Sequence, residues 1–242
     1  MLKDKNSLYA PILVLALLVA SFFVGRLSAQ VAQMKDGTEV AGTKPTTSPT
    51  AAASKISVAA LKTMAKDFGV DTNKFNKCLD DGTMADKVAA ESKEGQGLGV
   101  SGTPSFFING ILVVGSLPQA EFETVIDAEL KNGSGDKVKL TSGSTLKRVT
   151  VPYGAGYIKG DKNAKVKIME YTDFECPYCN RSFPTIEALL TKYGNKISLE
   201  YRSFPLPFHA NAQKAAEAAL CAGEQGKFWE MHDKMFTVMA QQ

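Results

Sequence analysis

Two cysteines three positions apart, in the stretch DFECPYCNRSF at residues 173–183, carry the most distinctive chemistry in the sequence. Cys176 and Cys179 lie between a strand-like run, AKVKIMEYTDF, and a helix-like run that ends at Gly194. A Cys-x-x-Cys at the start of a helix places both sulfurs on the first turn, within the Cα separation that a disulfide needs. The pair is therefore a candidate for redox chemistry, for an inert structural disulfide or for half of a zinc site.

The predicted helix start favours redox chemistry. Cys176 is expected at the helix N-terminus, where free N–H groups and the helix dipole stabilise an anion and lower the pKa of a thiol. Cys179, one turn into the helix, is expected to be less exposed and to act as the resolving thiol. Pro177 suits the first helical position, because the N–H group that it lacks would have no partner there.

A zinc site would need a second pair of ligands at close spacing. Cys78 and Cys221 stand alone in the sequence, and the two histidines, His209 and His232, do not form such a pair. The histidines are expected as capping or surface residues. The sequence therefore predicts no metal site.

The composition is that of a globular protein. The chain has 242 residues, 44% of them hydrophobic and 22% charged, which leaves room for one domain plus additional segments. The formal net charge of +3 gives no case for a nucleic-acid partner, which would need clustered Lys and Arg.

Residues 1–26 predict a membrane anchor. An apolar, uncharged run extends from Leu8 to Val24, preceded by Lys3 and followed by Arg26. With its flanks it has about the 20 residues that a transmembrane helix needs. A cleaved signal peptide is the alternative, but LSAQVA is a poor cleavage motif and the run exceeds the ~7–15 residues of a signal-peptide core. In both cases the rest of the chain is expected outside the cytosol, where disulfides persist.

The remaining chain divides into two structured parts and two linkers. Residues 27–55 are polar and rich in Pro and Thr, which predicts a flexible tether. Residues 56–132 contain helical patterns and two β-rich runs, and residues 133–156 form a second polar linker. Residues 157–242 contain the Cys-x-x-Cys stretch.

Within the first structured part, Asn109-Gly110 between apolar runs predicts a β-hairpin. Pro118 is suited to the first position of the following helix, and Gly133 to its end. The stretch GQGLG from Gly95 to Gly99 resembles a nucleotide loop superficially, but it follows a helix instead of a strand and is interpreted as a flexible turn.

Two stretches carry a resemblance to a known family. KIMEYTDFECPYCNRSFPTIEALLTKYG resembles the active-site region of the DsbA family of thiol–disulfide oxidoreductases, which have a thioredoxin-like fold. GVSGTPSFFINGILVVGSLPQAEFETVI resembles the second half of that family, in which a cis-proline loop opens a β-hairpin and a helix follows. The resemblance implies an α/β, thioredoxin-like domain with a helical insert. The apolar run at Leu8–Val24 adds one transmembrane helix before this domain.

The resemblance also implies roles for individual residues. Cys176 would be the nucleophile and Cys179 the resolving thiol. Pro104 would be the cis-proline that faces the pair, and Thr103 would offer backbone hydrogen bonds to a bound peptide. Glu170 would be a buried acid that takes the proton of Cys179; the alternative for Glu170 is a strand-end residue that points to solvent.

Pro177 and Tyr178, between the two cysteines, are expected to contact substrate and to set the redox potential. DsbA proper usually has histidine at the second of these positions, whereas Cys-Pro-Tyr-Cys is seen in glutaredoxins. The resemblance therefore implies a potential between about −230 and −120 mV, the values for glutaredoxins and DsbA. The motif does not determine whether the protein oxidises, isomerises or reduces disulfides.

The two halves stand in reversed order. In the family the Cys-x-x-Cys half comes first, whereas here Pro104 precedes Cys176 by about 70 residues. We predict a circularly permuted domain whose former termini are joined by residues 133–160, because domain termini are usually exposed and close together. The alternatives are truncated tandem domains that complete each other as a swapped dimer, or a rearrangement that folds poorly.

Cys78 and Cys221 both fall in the expected helical insert, where the resemblance implies a second cysteine pair. A structural disulfide between them is predicted, and two buried free cysteines are the alternative.

The sequence as a whole predicts a membrane-tethered, extracytoplasmic thiol–disulfide oxidoreductase that acts on exported proteins. No cofactor is expected, because the electrons reside in the cysteine pair, and a membrane redox partner would recycle that pair. The alternative is a non-catalytic tethered module that binds peptides in the cis-proline groove.

Overall fold

In the computed structural model, the described residues are 54–141, 143 and 145–241. The predicted anchor, residues 1–26, and the predicted tether up to residue 53 lie outside them. Within the described part of the chain, no helix combines the length and the hydropathy needed to cross a membrane.

The described residues form an α/β domain with helices and strands interspersed. In chain order the elements are α1 (Val58–Lys66), α2 (Thr72–Asp80), α3 (Ala85–Gly97), β1 (Ser105–Ile108), β2 (Ile111–Val114), α4 (Gln119–Asn132), β3 (Ile158–Gly160), β4 (Val166–Thr172), α5 (Pro177–Tyr193), β5 (Ile197–Ser203), α6 (Ala212–Gly223) and α7 (Phe228–Met239).

The strands form one sheet in the order β2-β1-β4-β5-β3. β1 pairs antiparallel with β2 on one side and with β4 on the other, and β4 pairs parallel with β5. Ser105 lies opposite Tyr171 in this register. Two segments that are distant in the sequence therefore share one sheet, and the edge strand β3, which the sequence pattern did not reveal, pairs with β5.

The predicted hairpin turn is present between β1 and β2. Asn109 and Gly110 both have positive φ, at 48° and 84°. Gly110 also packs against the backbone of Val149, where a Cβ would overlap the carbonyl oxygen. This turn therefore needs glycine for close approach as well as for backbone conformation.

Two helix boundaries differ from the sequence prediction. Pro118 is the residue before α4, not its first helical residue, whereas Gly133 ends α4 in the left-handed conformation, as expected. The predicted flexible turn at Gly95–Gly99 is wrong in its first part, because α3 continues to Gly97. Gly95 is buried against the ring of Tyr171, where a Cβ would lie 2.7 Å from a ring carbon, so its glycine serves helix–sheet packing.

The apolar core lies on both faces of the sheet and among the helices of the insert. One cluster joins α1, α2, α6 and α7 and includes both cysteines of the Cys-x-x-Cys. A disulfide joins Cys78 of α2 to Cys221 of α6 in this cluster, with an S–S distance of 2.03 Å. A second cluster lies between the sheet and the helices α4 and α5.

The connecting segment, residues 133–156, is tied to the domain at several points. The Arg148 guanidinium binds the buried carboxylate of Glu129 at 2.6 Å, and Leu146 is buried. The Tyr153 hydroxyl donates to a strand carbonyl and accepts from the N–H of Gly110 at 3.0 Å. Although it was expected as a polar linker, this segment is therefore packed against the sheet.

Candidate active site

The sheet topology brings the two sequence-distant halves of the site together. Because β1 and β4 are antiparallel, the start of β1 lies beside the end of β4. Pro104 immediately precedes β1, and Cys176 follows β4. The Thr103–Pro104 peptide bond is cis, and the sulfur of Cys176 lies 3.4 Å from the carbonyl oxygen of Thr103.

The cis-proline loop is held by backbone contacts from the hairpin. The N–H group of Gly115, just beyond β2, donates to the carbonyl oxygen of Pro104 at 2.8 Å. The Ser105 hydroxyl donates to the carbonyl oxygen of Gly102 at 2.7 Å. The loop is therefore fixed on both sides of the proline that faces the dithiol.

Cys176 occupies the N-cap position of α5, with Pro177 as the first helical residue. A hydrogen bond from the Cys179 thiol, followed by contributions from Thr103 and from the N–H groups of Cys179 and Tyr178, lowers the pKa of Cys176 to about 5. At neutral pH the Cys176 sulfur is therefore a thiolate, the form that attacks disulfides.

Cys179 behaves in the opposite way. Its side chain is fully buried, and burial, together with the neighbouring Cys176, raises the pKa of Cys179 well above its ordinary value. The two thiols therefore differ in charge at neutral pH: Cys176 is ready to attack, and Cys179 keeps its proton until a base removes it.

Glu170 lies within β4 on the strand face that α5 covers. Its side chain is buried, so the alternative of a solvent-facing residue is wrong. Burial raises the pKa of Glu170 to about 7, with a smaller contribution from Glu187 of α5. A carboxyl group that titrates near neutral pH can accept and return a proton under working conditions.

Two buried hydroxyl groups border the dithiol, on Thr103 and Thr172. Neither oxygen makes a hydrogen bond of ordinary length and angle within the described residues. Both hydroxyls nevertheless act on Cys179 and lower the pKa of its thiol. The sequence singled out Thr103 only for its backbone and missed Thr172; the alternation of side chains along β4, which places Thr172 on the face of Glu170, was the available signal.

Two large aromatic side chains are exposed, one between the two cysteines and one in the loop after β5. Tyr178 is 54% exposed and Phe208 is 75% exposed. The Arg181 guanidinium lies 5.2 Å from the centre of the Tyr178 ring. Tyr178 is thus placed where an incoming chain could touch it, whereas the sequence did not single out Phe208.

A buried aspartate positions the loop that follows β5. Asp173 accepts hydrogen bonds from the N–H groups of Glu175 and Leu206, at 2.7 and 2.8 Å. Its second oxygen also lies 2.8 Å from Nδ1 of His209, whose ring contacts Phe208. The sequence did not identify Asp173, because its partners are distant in the chain.

His232 differs from the expectation of a capping or surface residue. It is buried among aromatic rings, and burial lowers the pKa of its imidazole. Its Nδ1 lies 2.8 Å from a carboxylate oxygen of Asp233. His232 was expected at the surface but lies in the core, because α7 packs against α5 and β5.

Within the described ranges, no group of three or more His, Cys, Asp or Glu side chains is arranged to hold a metal ion.

Comparison with known proteins gives two family matches. Residues 154–242 match a family model described as thioredoxin, and residues 51–127 match one described as a DSBA-like thioredoxin domain. The fold and the site thus define a thioredoxin-like domain, the class in which thiol–disulfide oxidoreductases occur. More narrowly, the chain is a DsbA-like member of the thioredoxin superfamily.

Shorter stretches of the chain are similar to parts of longer proteins. The chain is 50% identical over 78 residues to the Na(+)/H(+) antiporter NhaA 1 of Salinispora arenicola, which is 32% of this chain and 12% of that protein. It is 47% identical over 78 residues to the Na(+)/H(+) antiporter NhaA 3 of Salinispora tropica, with the same shares. It is 38% identical over 82 residues to the Na(+)/H(+) antiporter NhaA 1 of Mycolicibacterium gilvum, which is 34% of this chain and 13% of that protein. The chain thus spans about an eighth of the length of these relatives.

Proposed function

We propose that this protein forms, reduces or isomerises disulfides in exported proteins through the Cys176–Cys179 dithiol. The observation that carries the proposal is the position of the Cys176 sulfur, whose pKa is lowered, at 3.4 Å from the carbonyl oxygen that precedes the cis-proline. A nucleophilic sulfur is thereby held next to backbone that can pair with an extended peptide.

The chemistry proceeds by two exchanges. In the reductive direction, the Cys176 thiolate attacks a substrate disulfide, forms a mixed disulfide and releases one substrate thiolate. Cys179 then loses its proton to Glu170 and attacks the Cys176 sulfur, which breaks the mixed disulfide and releases the second substrate sulfur. The substrate is reduced and the dithiol becomes a disulfide; the oxidative direction runs these steps in reverse.

The proposal includes a location. The apolar run from Leu8 to Val24 supports anchoring in a membrane with the catalytic domain on the extracytoplasmic side. The disulfide between Cys78 and Cys221 supports the same location, because structural disulfides persist in oxidising compartments. A membrane redox partner would then recycle the dithiol.

We also propose that the domain is circularly permuted and active as a monomer. Support comes from the pairing of β1 with β4 and from the order of the two family matches along the chain. Sedimentation of the purified domain measures its mass in solution. A domain that is active only as a dimer would replace this proposal with the swapped alternative.

The test is an enzymatic assay with two variants. Wild-type protein is expected to reduce insulin or to reactivate scrambled ribonuclease, whereas Cys176→Ser loses this activity and retains its circular dichroism spectrum. The matched control, in which Cys78→Ser and Cys221→Ser are combined, removes two sulfurs away from the site and keeps the activity. Equal activity in wild type and Cys176→Ser would favour the non-catalytic peptide-binding module instead.

A further inference from the structure

Thr172 is the last residue of β4, and it lies two positions after Glu170. Alternate residues of a strand point to the same face. Ile168 and Val166 lie on the same face of β4 as Glu170 and Thr172. Both pack in the core cluster that contains Ile186 and Leu189 of α5. Cys179 is buried on the first turn of α5. It lies in the neighbouring core cluster together with Tyr201, which pairs with Glu170 across β4 and β5.

The Thr172 hydroxyl is a neighbour of the two groups that exchange a proton in the proposed function. It lowers the pKa of the Glu170 carboxyl and also the pKa of the Cys179 thiol. Its oxygen is buried and satisfied by no hydrogen bond of ordinary geometry within the described residues. Buried hydroxyl groups are nearly always hydrogen-bonded, so an unsatisfied one at this position needs an explanation.

We propose that the Thr172 hydroxyl relays the proton between the Cys179 thiol and the Glu170 carboxylate and thereby sets the rate at which the mixed disulfide is resolved. This inference rests on the proposed function. A hydroxyl group can accept and donate at the same time, so it takes the thiol proton while passing its own to the carboxylate. One proton moves from Cys179 to Glu170, and the Cys179 thiolate then displaces the substrate sulfur from Cys176.

Few titratable groups among the described residues face this relay. Among the described residues, the groups that face the pair are Cys176 at the N-cap of α5, Glu187 within α5 and the Tyr201 hydroxyl on β5. The relay needs the Glu170 carboxylate, so the resolution rate is expected to rise with pH through the titration of that group. Replacing Glu170 by Gln removes this rise.

The experiment follows one turnover of reduced protein with glutathione disulfide by rapid acid quench and mass spectrometry. The first step, attack by Cys176, depends on the glutathione disulfide concentration, and the second, attack by Cys179, does not. Thr172→Val is expected to slow the second step at pH 7 by at least ~10-fold, as loss of proton-transfer assistance does, and to leave the first step unchanged. Thr172→Ser, which keeps the hydroxyl, is expected to restore the rate.

Ser203→Ala is the matched control. Ser203 pairs with Thr172 across β4 and β5, and its hydroxyl oxygen is equally buried and unsatisfied. That hydroxyl lowers the pKa of Glu91 and of Tyr201 instead of the pKa of the thiols. Ser203→Ala should therefore resolve the mixed disulfide at the wild-type rate.

Three results would overturn the relay: wild-type resolution by Thr172→Val, resolution by Thr172→Ser as slow as by Thr172→Val, or the same slowing in Ser203→Ala. If Thr172→Val does not fold, Thr172→Ala is compared with Thr172→Ser in the same way. A wild-type protein that forms no mixed disulfide at Cys176 would refute the proposed function itself. Formation of the mixed disulfide together with unaltered resolution in Thr172→Val refutes only the relay.

Discussion

The molecule contains two cysteine pairs that differ in almost every physical respect. Cys176 and Cys179 share the first turn of one helix and are both reduced in the structure. Cys78 and Cys221 are separated by 143 residues and join two helices of the insert. The contrast teaches that reactivity comes from surroundings: the first pair has a helix N-terminus and a cis-proline loop, whereas the second pair is enclosed by helices.

The largest effect on the reactive cysteine pair is expected when the resolving thiol is removed. Cys179→Ala leaves Cys176 able to attack, but no second sulfur can break the mixed disulfide. Turnover in an insulin-reduction assay is expected to fall to the uncatalysed rate, while mass spectrometry shows a substrate adduct on Cys176. Absence of the adduct would show that Cys176 is not the attacking sulfur.

Removing the other pair is expected to affect stability instead of chemistry. The double variant Cys78→Ala/Cys221→Ala opens a loop of 143 residues, for which the chain-entropy argument gives a loss of about 3–5 kcal/mol in the free energy of unfolding. Urea denaturation of oxidised wild type and variant measures this loss. The rate of Cys176 alkylation serves as the control and should not change; a large change would mean that the disulfide shapes the active site.

The pH dependence of alkylation sharpens the contrast between the two thiols of the active pair. Because the pKa of Cys176 is lowered to about 5, its reaction rate with iodoacetamide is expected to rise about tenfold between pH 4 and pH 6 and to change little above pH 7. Peptide mapping should locate the label on Cys176 and not on Cys179. A rate that keeps rising to pH 9 would indicate an ordinary thiol.

The same pKa predicts how stability depends on pH. A group whose pKa is lower in the folded state stabilises the fold above its unfolded pKa, about 8.5 for cysteine, and loses that contribution as pH falls to about 5. Reduced protein should therefore gain stability relative to oxidised protein as pH rises over this interval. Thermal denaturation of both redox forms checks this, and the comparison removes the contributions that both forms share. A constant difference would contradict the Cys176 thiolate.

The smallest expected effect concerns the residue between the active cysteines. Tyr178→His introduces a hydrogen-bond donor next to the thiolate, which stabilises the reduced form and makes the disulfide more oxidising. The potential is expected to become more positive by about 30 mV or more, measured by equilibration with glutathione. Tyr178→Phe, which keeps the ring without a donor, is the control and should stay near the wild-type value.

The sequence predicted the parts of the site that depend on neighbouring residues in the chain. The Cys-x-x-Cys before a helical run predicted the position of Cys176 at the start of α5, and Asn109-Gly110 predicted the hairpin that follows Pro104. The resemblance to a family added the cis-proline itself, since nothing in the residue types around Pro104 specifies the isomer.

Contacts between distant segments account for what the sequence did not reveal. Thr172 and Asp173 look like ordinary strand-end residues until α5 and the loop after β5 are packed against them. Gly95 looked like a turn residue because its partner, Tyr171, lies on a strand far along the chain. Strand β3, with three residues, is too short to show an alternating pattern.

The antiparallel pairing of β1 with β4 has a practical consequence. The part of the chain before Gly143 contributes the cis-proline, and the part after it contributes both thiols. Neither part alone therefore contains the complete site. If the polypeptide is cut at the exposed Gly143 and each piece is fused to one of two interacting proteins, their association would reassemble the sheet and switch on disulfide exchange. Split-reporter complementation of this kind would convert a strand register into a readable signal.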